Sequence, residues 1–496
     1  MKKIFILLFT TSIAFSQTQI GLSLNGSNAG DAFGSRVVIS ENGNFIAVPS
    51  PRNDSNGNNS GKVEVYQNIN GTWILYGTPI LGINQPSTVG ASIFAGTFGD
   101  GLSLSEDGQT IAIGNANSSA GAGNFSGQTQ VFRYVNGSWT QLGANISGST
   151  LGEASGGSVS LSADGNTLIV GSSSYDIPSE NIGRATIYKF INNNWTQFGQ
   201  RLSGFQVNEF FGVRTSISDD GLIIAIASPI FLVSGYDVGA VKTFKYINGL
   251  WEDYGTIFGP IQPQNFSSAI DLSADGNTIA IGSNGATVSG VVKGSVNVWN
   301  KTVNGWVVVG NSINGESANE NFGERLSLSD DATVLAVGSR FSDISGVDSG
   351  YVKVFKKIGV NYQFNSRVNG LLAGDLYGVC ALSDDGTKLI VGSAQKDVAG
   401  EDSGQVRVFD LTTVLSTNDF SKNKFTVYPN PATEFINLHI ENQSNKEYIE
   451  IYNDLGQLIK TTNNVTNIDI SDFSEGIYLL QRRSETDFQT TKFIKK

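Results

Sequence analysis

The sequence predicts an all-β protein: a seven-bladed β-propeller closed by its N-terminal strand, followed by a small β-sandwich. Three observations carry this. One phrase recurs seven times at nearly constant spacing, and each repeat has the patterning of four short strands. The last repeat lacks a strand that the start of the mature chain can supply. The phrase is clearest as LSADGNTLIVGS from Leu161 and LSADGNTIAIGS from Leu272, with weaker copies from Ile39, Leu104, Ile217, Leu328 and Leu382. Its turn glycine falls at Gly43, Gly108, Gly165, Gly221, Gly276 and Gly386, with Ala332 in the sixth copy; the steps are 65, 57, 56, 55, 56 and 54 residues.

The elements follow in order. Residues 1–16 combine two lysines, an apolar run and a small-residue site, which predicts a signal peptide cut after Ser16. No other apolar run is long enough to span a bilayer. The propeller is assigned to residues 17–413. In the second repeat the first strand is Phe98–Ser105, with Leu102 and Leu104 on one face, and the second is Thr110–Gly114. Asp107-Gly108 between them predicts a tight two-residue hairpin, with positive φ wanted at both positions. The third strand is Gly127–Phe132, and the fourth follows an Asn-Gly turn over Asn136–Gly143. Trp73, Trp139, Trp195, Trp251 and Trp306 hold one place in successive units, and Tyr362 stands in the sixth. Large residues alternate with Ala or Gly along the second strand, so both of its faces must pack, large against small.

A solenoid would need caps at its ends. This array has a different device. The seventh unit stops after GQVRVFDL, and Thr18-Gln19-Ile20-Gly21 matches Thr140-Gln141-Leu142-Gly143 of a fourth strand. The first strand of the mature chain therefore completes the last blade and removes an open edge.

Composition excludes several functions. The net charge is −12, which disfavours a nucleic-acid partner. Cys380 is the single cysteine, so no internal disulfide forms, and its register with Val37, Leu102 and Val159 marks it as a core thiol. The single histidine, His439, lies outside the repeats, which removes Ser-His-Asp chemistry and multi-histidine metal sites from them.

The pattern FG…LSxDGxTIAIGS…GxVxVF resembles the FG-GAP-type repeat of integrin-α-like seven-bladed propellers, over residues 18–412. Calcium-binding members of that group carry an Asp-x-Asp-x-Asp-Gly loop, whereas this chain has only Ser-x-Asp-Gly. Six to eight oxygens are wanted around calcium, so Asp107, Asp164, Asp220, Asp275 and Asp385 are read as turn residues. No cofactor is expected, and calcium is the one metal left open. After a polar linker, residues 414–424, a second domain spans 425–496. It resembles the type A C-terminal sorting domain of the type IX secretion system of Bacteroidetes-like bacteria. The resemblance rests on Tyr428, Pro429, Asn430 and Pro431, on Asp454-Leu455-Gly456, on Gly476 and Tyr478, and on the terminal Lys495 and Lys496. It implies contact with that secretion machinery, passage through the periplasm, and release or anchoring at the outer-membrane surface.

Function is expected on the face of the long, variable loops. Asp343, Asp348, Asp397 and Asp402 are placed alike in two adjacent repeats, and either bind a cation or a sugar or cap their turns. Phe231 and Tyr236 lie in an apolar loop that either faces a partner or folds back on its blade. Arg36, Arg214 and Arg325 lie on first strands, where they would line a channel and meet an anion or a neighbouring blade. Asp271 is the main acid on those strands. The expectation is a non-catalytic, secreted or surface binding and adhesion protein with an extracellular protein or glycan ligand. An extracellular carbohydrate-active enzyme and a surface scaffold are the alternatives.

Overall fold

The computed structural model describes residues 17–82, 99, 101–176, 180–261, 265–412, 425–440, 448–453, 457–463, 466–483 and 488–496. The expected signal segment 1–16, Phe98, the linker 414–424 and Asp454-Leu455-Gly456 lie outside them. The chain divides into two compact units, Met1–Leu415 and Ser416–Lys496.

The first unit is all-β and β-propeller-like. In the third repeat Ser155–Leu161, Thr167–Ser172, Arg184–Ile191 and Asn194–Gln197 pair antiparallel in that order, and Leu202–Ser203 extends the outer edge. Seven sheets among the described residues follow this order. Alternation of large and small residues decides how they stack. Ile111 and Ile113 of one second strand pack on Ala47, Val63 and Val65 of the preceding sheet, while Ala112 packs on Leu161, Leu168 and Val170 of the next. The glycine that ends the second strand is demanded by close approach. A Cβ at Gly114 would sit 1.9 Å from the Gly156 carbonyl oxygen of the next sheet, and one at Gly338 would sit 1.8 Å from that of Gly378.

The last sheet packs on the first. Val379, Ile390, Val406 and Val408 share a core cluster with Val37, Ile39, Ile46 and Val48. The N-terminal strand pairs as its sequence match implies. Gln19 lies opposite Phe409 in the register that Gln141 takes opposite Phe132, and Leu24–Asn25 pairs Val406 and Gln405. A chain of backbone hydrogen bonds runs through the turns that join first and second strands. Glu41, Glu106, Ala163, Asp219, Ala274, Asp330 and Asp384 each donate an N–H to the carbonyl of the next, and Asp384 donates to Glu41, at 2.9–3.2 Å.

One turn expectation is corrected. Ser105 N donates to Thr110 O and Gly108 N to Ser105 O, so the loop has four residues, and only its glycine has a positive φ, 70°. The reason lies in the side chains. The Asp107 carboxylate accepts the Ser105 hydroxyl at 2.6 Å and the Gln109 N–H at 2.8 Å, which holds a wider turn than a two-residue hairpin. Asn136-Gly137 behaves as expected, with φ of 51° and 90° in a two-residue loop between Val135 and Ser138. The repeated tryptophans staple sheet to sheet: the Trp139, Trp195 and Trp251 indole N–H groups donate to Tyr76, Leu142 and Phe198 carbonyls of the preceding repeat at 2.8–2.9 Å. Trp73 reaches Ile20 of the N-terminal strand in the same way, at 3.0 Å.

The second unit is a small sandwich. Phe425–Tyr428, Phe435–Ile440 and Ile468–Asp469 form one sheet; Leu458–Thr462, Tyr448–Tyr452, Gly476–Arg483 and Phe488–Lys495 form the other. Ile436, Leu438, Ile449, Ile451, Leu480 and Phe493 fill the core between them.

Candidate functional site

The first strands of all seven repeats line one axial cavity of about 180 Å³, with Val37, Leu102, Val159, Thr215, Ile270, Leu326 and Cys380 at one level. Burial pushes the Cys380 thiol up to about 12, so it stays an unreactive core group. Arg36, Arg214 and Arg325 enter this cavity one residue before that level. Arg214 donates through Nε to the Ser268 carbonyl of the next repeat at 3.1 Å and through Nη1 to Val213 O at 3.0 Å. Arg325 donates to the Glu324 carbonyl at 3.2 Å, and its buried Nε has no hydrogen-bond partner among the described residues. Burial, then repulsion from Arg36, draws the Arg325 guanidinium down to about 10.

Asp271 stands where neighbouring first strands have serine. Ser103, Ser216 and Ser327 accept the N–H groups of Leu161, Leu272 and Leu382 across sheets at 3.0–3.1 Å, and Asp271 accepts that of Leu328 at 2.9 Å. Burial raises the Asp271 carboxyl to about 7 despite these bonds.

The opposite end of the first strands is acidic. Arg325 begins the first strand of its repeat, and Asp330 lies in the turn two residues past that strand's end at Leu328. The turn residues Glu41, Glu106, Asp219, Asp330 and Asp384 belong to the backbone chain of hydrogen bonds described above. Carboxylate oxygens of Glu41, Asp330 and Asp384 lie within 4.8 Å of one another. Carboxylates this close share protons or face a cation. Burial and then Asp330 push Asp384 up to about 8, and burial and then Asp219 push Asp330 to about 7. Glu41 rises to about 7, mainly through its hydrogen bond with Glu106. Sequence reasoning missed this ring, because it counted acids within each loop. The usable signal was the variable position of Ser-x-Asp-Gly, acidic in five of seven repeats.

The conserved-register aspartates of the same turns point elsewhere. Burial alone would raise Asp164, Asp275 and Asp385, but serine hydroxyl and backbone N–H bonds outweigh it and hold them below the usual range. On the loop face, Asp343 Oδ1 accepts the Asp348 N–H and Asp397 Oδ1 the Asp402 N–H, both at 2.9 Å. Asp348 and Asp402 take positive φ, 53° and 52°, so each pair closes its own loop. A second set of loop acids is buried. Glu209 accepts Phe205 and Gln206 N–H groups, the Ser228 hydroxyl and the Lys242 ammonium at 2.6–3.0 Å; Asp375 accepts Lys396 at 2.8 Å.

The apolar loop divides between the two expected fates. Phe231 folds back, its ring 4.6 Å from Lys242 Nζ and 5.8 Å from Phe258. Tyr236 is 61% exposed on a ribbon in which Leu232–Val233 pairs Tyr236–Asp237. The Phe205 ring lies 4.5 Å from Lys242 Nζ and is 82% exposed. The Gln206 side-chain amide bonds both the N–H and the carbonyl of Leu232, at 2.7 and 3.0 Å.

In the second unit the expected sorting residues meet at one end. Asn430 donates to Lys492 O at 3.3 Å and accepts Ile494 N–H at 2.9 Å; Lys496 N donates to Ala432 O at 2.8 Å. Gly476 pairs Lys495, and the buried Tyr478 stacks on Phe493 at 5.6 Å. Tyr428 is half exposed, and Pro429 and Pro431 flank Asn430.

Residues 426–496 match the family described as the secretion system C-terminal sorting domain. This type IX sorting domain places the protein outside the cell or attached to the outer-membrane surface, and implies contact with the secretion machinery. No helix among the described residues is long and apolar enough to cross a membrane. No curated protein matches the chain. Among solved structures it is similar to a Bacteroides uniformis protein described provisionally as a 6-phosphogluconolactonase. That match has 15% identity and a TM-score of 0.46, covering 68% of this chain and 85% of the other. It is also similar to the periplasmic gluconolactonase of Pseudomonas aeruginosa, at 18% identity and TM-score 0.43, covering 70% and 87%. These names correct the expectation that the chain is not an enzyme, which is withdrawn. Its physical basis was too narrow: lack of histidine removes only histidine chemistry, while carboxyl and guanidinium groups share the axial cavity. At such identities and TM-scores the matches assign no activity.

Proposed function

We propose that the first unit is a closed seven-bladed propeller of FG-GAP-like repeats that binds an extracellular protein or glycan on its loop face. Support for the count and closure comes from three sources: the seven repeat sheets, the pairing of Thr18–Gln19 with Asp410 and Phe409, and the backbone chain returning from Asp384 to Glu41. The sorting domain delivers this unit to the cell surface or the medium.

The observation that carries the binding face is a set of exposed aromatic and aliphatic side chains on and beside the fourth-repeat loops. Phe205, Leu232, Val233, Tyr236, Phe258 and Ile261 are 40–82% exposed. The Gln206–Leu232 bonds tie the loop of Phe205 to that of Leu232, and Glu209 fixes the Lys242 ammonium, so binding would order little further chain there. The test is binding of the labelled secreted chain to intact cells and to protein and glycan arrays. Replacing Phe205 and Tyr236 together by serine should lower binding at least about tenfold, with an unchanged melting temperature. Equal binding by the double variant would refute the assignment.

A further inference from the structure

We propose that the arginine end of the axial cavity is a binding site for a compact multivalent oxyanion, of the phosphate or polycarboxylate class. Arg36, Arg214 and Arg325, from three different repeats, line one cavity of about 180 Å³. Arg325 carries the argument. It has no ion-pair partner among the described residues, and its Nε is buried without a hydrogen bond. The nearest acid in sequence, Glu324, is engaged elsewhere: Arg340 holds both of its oxygens. An unpaired buried donor on a charged group is unfavourable unless something accepts from it. A planar guanidinium presents paired donors that match phosphate and carboxylate oxygens.

The surroundings agree. Arg36 repels Arg325 more than Glu324 attracts it, Arg340 adds to the repulsion, and an anion beside Arg36 and Arg325 would relieve it. Asp271, the carboxyl in the same cavity, is turned to backbone and serine donors, with Leu328 N–H at 2.9 Å. A second cavity of about 260 Å³ is lined by residues of the first, sixth and last repeats, among them Arg52, Arg340, and Ser35 and Val379, which adjoin Arg36 and Cys380 in sequence. Two arginines and one acid, Asp402, line that second cavity, so its charge also favours an anion, on a protein whose net charge is −12.

The experiment uses the full secreted chain, titrated calorimetrically with pyrophosphate, inorganic phosphate and citrate at constant ionic strength, with glucose and sodium chloride as controls. Saturable binding of pyrophosphate or citrate is expected, with a melting temperature raised by roughly 2–4 °C at saturation. Phosphate above citrate would identify the phosphate class, and the reverse order the polycarboxylate class. Arg325→Gln should weaken binding about tenfold or more and leave the ligand-free protein as stable as before or more so, since a buried like charge is removed. Arg36→Gln provides the second variant if the first folds poorly. The proposal is overturned if neither anion binds below about 10 mM, or if both variants bind as the parent does.

Discussion

Replacing Asp384 by asparagine should stabilise the protein at neutral pH and leave it unchanged in acid. Asp384 shares the turn end of the axis with Glu41 and Asp330, their carboxylate oxygens within 4.8 Å. Its carboxyl is pushed up to about 8 from an ordinary 3.8. The native state therefore keeps a proton that the unfolded chain releases. Between about pH 4 and 8 the folded form binds more protons, so stability falls as pH rises through that window. Below about pH 4 both states are protonated and the difference vanishes. At pH 7 the full difference would be about 4 kcal/mol, from 1.36 kcal/mol per unit over roughly three units. Burial is the larger cause; Coulomb's law brackets the share from neighbouring acids, giving about 0.9 kcal/mol per charge in water and about 3.5 at an effective dielectric of 20. Partial water access at the turn end reduces the expected gain to about 2 kcal/mol. Urea unfolding of the secreted chain at pH 4 and pH 7.5 is the assay. A gain of this size at pH 7.5 that disappears at pH 4 is expected. No gain at pH 7.5, or an equal gain at both, would refute a carboxyl kept protonated by burial and by its acidic neighbours.

Three further outcomes are expected. Removing residues 17–26 unpairs the outer edge of the last repeat sheet and deprives Trp73 of the Ile20 carbonyl, so the melting temperature should fall by roughly 5 °C or more in a calorimetric scan. Glu209→Ala strands the Lys242 ammonium in a buried site and should destabilise by about 3–5 kcal/mol in denaturant unfolding. Deleting Lys492–Lys496 removes the partners of Asn430 and Gly476 in the sorting unit, and cell fractionation should find the chain in the periplasm rather than at the surface or in the medium.

Local patterns were the legible part. Asn136-Gly137 announced its turn because two positive φ angles have a recognisable residue signature. The match of Thr18-Gln19 to Thr140-Gln141 predicted a strand register that the pairing with Phe409 and Asp410 repeats. The Ser-x-Asp-Gly turn was misjudged because the Asp107 carboxylate, bonded to Ser105 and Gln109, selects a wider loop. The tryptophans were visible as a series, but their bonds to carbonyls of the preceding sheet were not.

The amino-acid sequence alone determined the repeat, its four strands, the strand exchanged from the N-terminus and the sorting domain. Each of these depends on neighbours along the chain or on comparison of one repeat with another. Tertiary structure alone decided which residues meet at the axis. Glu41, Asp330 and Asp384 are hundreds of residues apart at their extremes, yet their carboxylates lie within 4.8 Å. Arg36, Arg214 and Arg325 enter one cavity from three repeats. Sheet-on-sheet packing, the last on the first included, brings equivalent positions of separate repeats together, so charges that look solitary along the chain become a cluster.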